Sequence, residues 1–294
     1  MKRKELLKRL DLSTFIAFDF ETTGLDHQND KIIEVAAIKF IDGEIADRYV
    51  ELVNPGMSIP SAITEITGIS DKMVRSSPSE ELIIDDLLSF IGDNPLVAHN
   101  IHFDEKFLFQ LCNRLGRDVL ENAQYDTLQL ARSVLYDQPV FNLSALSEYF
   151  GLSSKGAHRA EKDSENTGLI FLELVEEVSK YPLETISRVN SMIKGTSIPN
   201  QKLYVDLGNE LTKNGDLKAG LLKLDTPRKL MSNTFSYLGD KNISEISSEQ
   251  VFGDNGLLSL SHPNFESRPN QKKYAQMVDE MINEDQSKGV IEAG

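Results

Sequence analysis

FIAFDFETTGL, residues 15–25, begins as an apolar run and ends by placing two carboxylates, Asp19 and Glu21, one residue apart. In an extended strand residues i and i+2 share a face, so both acids project from the same side. Unpaired at the edge of a core, they repel each other and lose hydration, costs that a bound divalent cation reverses. A strand end whose acids simply face water is the commoner meaning of so short a pattern, which often arises by chance, so the rest of the chain has to discriminate.

Working outward, residues 15–20 are predicted as a strand, 31–40 (KIIEVAAIKF) as a second and 46–53 (ADRYVELV) as a third. The Asp-Gly pair in IDGE signals a hairpin between the last two, which gives an antiparallel meander. Leu82, Ile83, Leu87, Phe90 and Ile91 fall at helical spacing, and Gly92 closes that helix. PLVAHN reads as a short buried strand and DEKFLFQLCNRLG as a helix ending at Gly116. Further helices fit TLQLARSVL, NLSALSEYFGL and AEKDSENTGLIFLELVEEVSKY. Strands first, then strands interleaved with helices, predict an α/β fold: a mixed sheet with helices on its faces.

The chain has 294 residues, 40% of them hydrophobic, enough for a packed core and one or two domains. Its single cysteine, Cys112, excludes an internal disulfide framework, reads as a small buried apolar residue and fits a reducing, cytoplasmic location. The N-terminal MKRKELLKRLDL is basic, but its apolar content is short and interrupted by Asp11, so neither a signal peptide nor a membrane span is expected. Leu6, Leu7 and Leu10 predict a short amphipathic helix, whose Lys2, Arg3, Lys4, Lys8 and Arg9 form either a solvated face or a contact to a phosphate backbone. A net charge of −15 opposes broad electrostatic attraction to nucleic acid. Such binding then requires metal ions at the phosphate and acids such as Glu80, Glu81, Asp85 and Asp86 on remote faces.

LVAHNIHFDEKFL places Asp104 after a strand, at the start of a helix, where Asp is favoured in any case. AHRAEKDSENTGL places His158 in a loop and Asp163 five positions on, inside the next helix. Asp19, Glu21, Asp104 and Asp163 thus stand with one histidine at the junctions of predicted elements. Four converging carboxylates are what a two-metal phosphodiesterase site requires, and Mg²⁺ or Mn²⁺ suits an all-oxygen shell. A histidine, with a reference pKa near ~6.5, can take a proton from the attacking water at neutral pH, which makes His158 the candidate base.

These residues resemble the DEDDh exonucleases, the DnaQ-like family that includes the proofreading epsilon subunit of bacterial DNA polymerase III. DFETTGL is similar to the first family motif, AHNIHFD to the second and HRAEKD, with its H-x-x-x-x-D spacing, to the third; ITEITGISDKMV and YDTLQLAR also look like family segments. The resemblance covers roughly residues 13–178. It implies a ribonuclease H-like fold and 3′→5′ release of nucleoside monophosphates from single-stranded ends, DNA ahead of RNA. It further implies metal ligation by Asp19, Glu21, Asp104 and Asp163 with two Mg²⁺ or Mn²⁺ ions, and base catalysis by His158. Thr22, Thr23 and Leu25 would hold the terminal nucleotide, Ile69 and Phe103 would flank bases, and Asn100 would lie near the sugar-phosphate. Thr22 and Thr23 also read as a helix cap, and Ile69 and Phe103 as plain core. Glu161 and Ser164 stand where the family more usually has apolar or small residues, a departure that touches packing more than chemistry.

Three domains follow: the exonuclease at 1–178, a mostly helical, more polar connector at 179–241, and a different segment at 242–294. From about Phe252 the last resembles the opening of DinG-type, XPD-like helicases, with an R-x-x-Q element, an apolar stripe of Tyr274, Met277, Val278, Met281 and Ile282, and a terminal GVIEAG strand. The phosphate-binding G-x-x-x-x-G-K-[ST] signature is absent from these residues, so ATP is expected only through a helicase part beyond Gly294. Two alternatives stand beside this reading: a nucleic-acid-binding module of weak or lost turnover, and a proofreading or RNA-processing exonuclease with an unrelated tail.

Overall fold

The computed structural model describes residues 2–136, 138–153 and 158–213, together with positions 250, 251, 260, 273 and 276. The R-x-x-Q element, the apolar stripe and the GVIEAG strand expected near the C-terminus lie outside the described residues. The described residues up to Lys213 form one compact unit.

The expected meander forms. After helix α1 (Arg3–Arg9), strand β1 (Thr14–Thr22) pairs antiparallel with β2 (Ile32–Ile41), and β2 with β3 (Glu44–Leu52). Asp42 (φ 55°) and Gly43 (φ 89°) make the left-handed turn that a tight β2–β3 hairpin requires. Two short helices follow, α2 (Ser61–Thr67) and α3 (Asp71–Val74), then α4 (Glu80–Ile91). Strand β4 (Leu96–Ala98), helix α5 (His102–Arg114) and strand β5 (Gln124–Asp126) come next, with β4 parallel to both β1 and β5. The sheet order is β3-β2-β1-β4-β5. The remaining described helices are α6 (Thr127–Val134), α7 (Leu143–Tyr149), α8 (Ala160–Val178), α9 (Leu183–Ile193) and α10 (Gln201–Lys213). Helices α2 and α3 and strand β5 are additions to the elements expected from the sequence.

Alternation along β1 divides the core. Ile16, Phe18 and Phe20 pack with Ile83, Ile84 and Leu87 of α4 and Phe107 and Leu111 of α5. Phe15 and Ala17 pack on the opposite side with Phe40, Ile170, Phe171 and Val175, where α8 covers the sheet. Leu6, Leu7 and Leu10 bury into that second layer as their spacing predicts, and Arg3 bonds Glu173 at 2.7 Å and also Glu176, so this arginine is spent on α8. Cys112 is fully buried beside Phe107 and Leu111, the small apolar residue expected of it. Ile186, Leu203, Tyr204 and Leu207, from the segment expected as a connector, lie buried in the same layer as Phe15. Among the described residues no helix is long and apolar enough to cross a membrane.

Helix α8 approaches the sheet closely because Gly168 has no side chain: a Cβ there would lie 2.2 Å from Phe40 Cε2. Helix propensity favours Gly168→Ala by about 1 kcal/mol, but overpacking costs roughly 1–3 kcal/mol, so the variant should be net destabilised in urea denaturation. Phe40→Leu should relieve part of that loss, making the double variant more stable than the sum of the single effects. Strict additivity would mean that the contact with Phe40 does not set the helix position.

Candidate active site

The row on β1 that begins with Phe15 and Ala17 continues with Asp19 and Glu21, so the two acids face the side covered by α8. Asp163 lies in the first turns of α8. Carboxylate oxygens of Asp19, Glu21 and Asp163 fall within 4.8 Å of one another, a spacing that suits a shared cation. Asp104, in the first turn of α5, is buried, and its Oδ1 accepts from the Phe20 N–H at 3.0 Å, which ties it to the backbone between the two β1 acids. His158 sits exposed just before α8 with φ 63°, and its backbone N–H donates to Asp163 Oδ2 at 3.0 Å. The five residues singled out in the sequence are therefore carried by β1, α5, α8 and the turn before α8.

The acids are electrostatically frustrated. Burial drives Asp19 well above the usual carboxylate range, and repulsion from Asp104, Glu21, Asp163 and Glu34 adds to it. Burial, then Asp163 and Glu34, lifts Glu21 to about 7 against an opposing pull from Arg159. Asp104 is pushed up to about 8, chiefly by burial, against the Phe20 N–H bond. Asp163 is raised by burial and held back by the His158 N–H.

Sequence reasoning missed the pair that frames this cluster. Glu34 lies opposite Glu21 in the β1–β2 register and is only 1% exposed. Its carboxylate accepts from Arg159 Nε at 3.1 Å, from Arg159 Nη2, and from the Ala160 N–H at 2.9 Å. A lone Glu inside an apolar strand gives no local hint of a partner 125 residues away.

The expected substrate contacts separate into two groups. Leu25 is 85% exposed, Asn100 is exposed and Phe103 half-buried, and all three line one open cleft of about 320 Å³ with Asp26, His27, His102, Lys106 and Phe107. Thr22 and Thr23 instead are buried and cap no helix. The Thr22 hydroxyl donates to Gly24 O at 2.6 Å; the Thr23 hydroxyl donates to Asp30 Oδ1 at 2.8 Å and accepts from the Lys31 N–H at 3.0 Å. They shape a turn in which a Cβ on Gly24 would lie 2.3 Å from Asp30 Oδ2. Ile69 follows its plain-core reading and not the base contact: it is fully buried with Ile33, Ile59 and Val74 and offers no surface to a base. The most exposed apolar side chain of that segment is Ile66 on α2, at 57%, ahead of Met73 on α3, at 40%. Glu80, expected on a face remote from the site, is buried, where Arg114 Nη2 donates to both its oxygens at 2.9 and 2.8 Å.

The RNase T family model, described as an exonuclease, matches residues 16–171, just over half of the chain. The chain belongs to the RNase T exonuclease family. Among curated proteins it is 37% identical over 191 residues to the PolC-type DNA polymerase III of Caldanaerobacter subterraneus subsp. tengcongensis, covering 65% of this chain and 14% of that protein. It is 35% identical over 179 residues to the 3'-5' exonuclease DinG of Bacillus subtilis, covering 60% of this chain and 19% of that protein. The chain thus spans under a fifth of either relative. Exonuclease I of E. coli, solved with a dT13 oligonucleotide, shares the fold with a TM-score of 0.53 and 19% identity, covering 66% of this chain and 46% of that one. The DnaQ-like resemblance and the ribonuclease H-like mixed sheet expected from the motifs agree with these findings.

Two outcomes follow from the electrostatics. In chelator, the cluster's acids hold protons in the folded chain that the unfolded chain, with ordinary carboxylate values, has released. Their contribution to stability is therefore fully present below about pH 4 and is lost as pH rises through about 7 to 8. Thermal melting in chelator should show Tm falling across that window, less steeply in Asp19→Asn; equal slopes would contradict the assignment. Second, Arg159→Met leaves the Glu34 carboxylate buried and uncompensated, which should cost roughly 3–5 kcal/mol, whereas Arg188→Met, at an exposed i,i+4 pair with Glu184, should cost at most about 1 kcal/mol. Chemical denaturation of both variants decides this.

Proposed function

We propose that this chain is the nuclease part of a larger protein and removes nucleoside monophosphates from the 3′ end of single-stranded DNA. The observation that carries the reading is the approach of Asp19, Glu21 and Asp163 to within 4.8 Å of one another, with Asp104 tied to the strand between the first two. In this reading the four acids hold two Mg²⁺ or Mn²⁺ ions. Bound there, divalent cations neutralise the scissile phosphate and acidify a water. Acids that burial and mutual repulsion hold above their ordinary range are a site with a deficit of positive charge, which supports the assignment.

His158 is assigned the proton of the attacking water: the water oxygen bonds to phosphorus, the P–O3′ bond breaks, the 3′ oxygen of the shortened strand takes up a proton, and the terminal residue departs as a nucleoside 5′-monophosphate. Its backbone bond to Asp163 keeps it beside the acids, and its exposure leaves the ring free to reach a substrate. Leu25 and Phe103 provide apolar surface for unstacked bases, which favours single strands. Lys106, His27 and His102 bring cationic or titratable nitrogen to a cleft in an otherwise acidic chain. The 3'-5' exonuclease DinG relative supports the 3′→5′ direction, and the oligonucleotide bound by exonuclease I supports DNA. The helicase-like character of 242–294 and the small share of each relative that is matched support a larger parent, with ATP acting only through a part outside this chain.

Purified protein and end-labelled single strands test the reading. Hydrolysis should require Mg²⁺ or Mn²⁺, stop in excess chelator, and be lost in Asp19→Ala, Glu21→Ala, Asp104→Ala or Asp163→Ala. His158→Ala should slow it by roughly 10²- to 10⁴-fold. A blocked 3′ end should protect the substrate and a blocked 5′ end should not; the reverse would invert the assigned direction, and full activity in chelator would remove the metal.

A further inference from the structure

Helix α10 and the residue before it lie beyond the stretch that the family matches, yet that residue is built into the edge of the sheet. Strand β5 is the last strand on its side, and a bare edge leaves N–H and C=O groups without partners. Asn200 supplies them. Its backbone N–H donates to Gln124 O at 3.0 Å, its Nδ2 donates to Asp126 O at 3.0 Å, and its Oδ1 accepts from the Asp126 N–H at 3.0 Å. The residue is 3% exposed and has φ 66°, a left-handed conformation that asparagine tolerates better than most.

Asp126 passes this order on. Its Oδ1 accepts from the Leu128 N–H at 2.8 Å at the start of α6 and from the Asn100 N–H at 3.0 Å. Asn100 is itself left-handed, with φ 67°, and its carbonyl accepts from the Phe103 N–H at 3.0 Å in the turn that opens α5. Asn100 and Phe103 both line the cleft beside Leu25.

We infer that Asn200 is a positioning residue for nucleic-acid binding: through Asp126 it fixes the turn that presents Asn100 and Phe103 in the cleft. The inference rests on the proposed reading of that cleft as the path of the strand. Asp104 follows in the same turn but has its own anchor on the Phe20 N–H, so the acids stay in place when Asn200 lets go. Loss of the Asn200 amide therefore weakens the grip on substrate more than it slows the chemical step. The working exonuclease accordingly extends through α10, past the end of the family match.

The test uses the full chain. Asn200→Gly keeps the left-handed backbone and the N–H to Gln124 and removes only the amide. Asn200→Asp keeps the shape and an acceptor for Asp126 N–H but sets a carboxylate oxygen against the Asp126 carbonyl. Both should raise KM for a single-stranded oligonucleotide by roughly 3- to 10-fold, the effect of one or two hydrogen bonds, with kcat within about twofold of the parent. Amide exchange at Asp126 should accelerate in Asn200→Gly. A lowered Tm with KM unchanged in both variants would reduce Asn200 to a structural edge cap and overturn the inference, as would a fall in kcat at constant KM. An inactive parent chain would instead overturn the exonuclease reading on which the inference depends, an outcome distinct from active parent and variants with equal KM.

Discussion

Mutual repulsion among carboxylates at the end of β1 is the constraint that the surrounding structure has to withstand. Unit charges about 4 Å apart repel by several kcal/mol in a medium of intermediate dielectric, and these groups are also deprived of water. Each acid is consequently held by an element with its own reason to be there. The alternation of β1 sends Asp19 and Glu21 toward α8, because Phe15 and Ala17 on the same row are core. The Phe20 N–H holds Asp104. Asp163 is held by α8, whose start is pinned to β2 by Glu34 and Arg159. The Arg159 guanidinium also acts favourably on Glu21, so one ion pair both anchors the helix and offsets part of the charge it brings in.

The parts of this arrangement that were legible in the sequence are the ones encoded in local periodicity. The β1–β3 meander follows from apolar runs broken by an Asp-Gly turn, and α4, α5 and α8 from apolar positions at helical spacing. Strand β5 escaped because Gln124-Tyr125-Asp126 is three residues long and runs straight into the Asp126 cap of α6, so that YDTLQLAR reads as one segment. Ile69 stayed open between a base contact and plain core for a similar reason. Without knowing that a helix ends at Gly68, with φ 72°, nothing in ITEITGI tells that Ile66 faces out and Ile69 in.

Long-range partners were the other blind spot. Glu34 with Arg159, and Thr23 with Asp30, are buried polar contacts whose residues carry no mark of their pairing in the chain. The segment after Pro182 looked like a connector because its composition is polar. Packing asks less than composition suggests: Leu203, Tyr204 and Leu207 occupy one face of α10, and one apolar face is enough to dock a helix. The segment's most consequential residue, Asn200, is polar, and its value lies in a left-handed backbone and a correctly aimed amide.

The charge of −15 stands against the proposed nucleic-acid substrate. Screening limits the reach of an exposed charge to roughly 8 Å at physiological ionic strength, so distribution matters more than the sum. Ion pairs leave the sum unchanged but cancel the local field of particular acids: Glu80 is buried against Arg114 and Lys31, and Asp85 pairs with Arg117 at 2.6 Å. The cleft wall contributes Lys106, His27 and His102 beside a single acid, Asp26. At the cluster itself the negative charge has the opposite sense, since it creates the demand for cations and cations are what a phosphate meets. An acidic chain can therefore handle a polyanion, provided its attraction is confined to one cleft and one set of carboxylates.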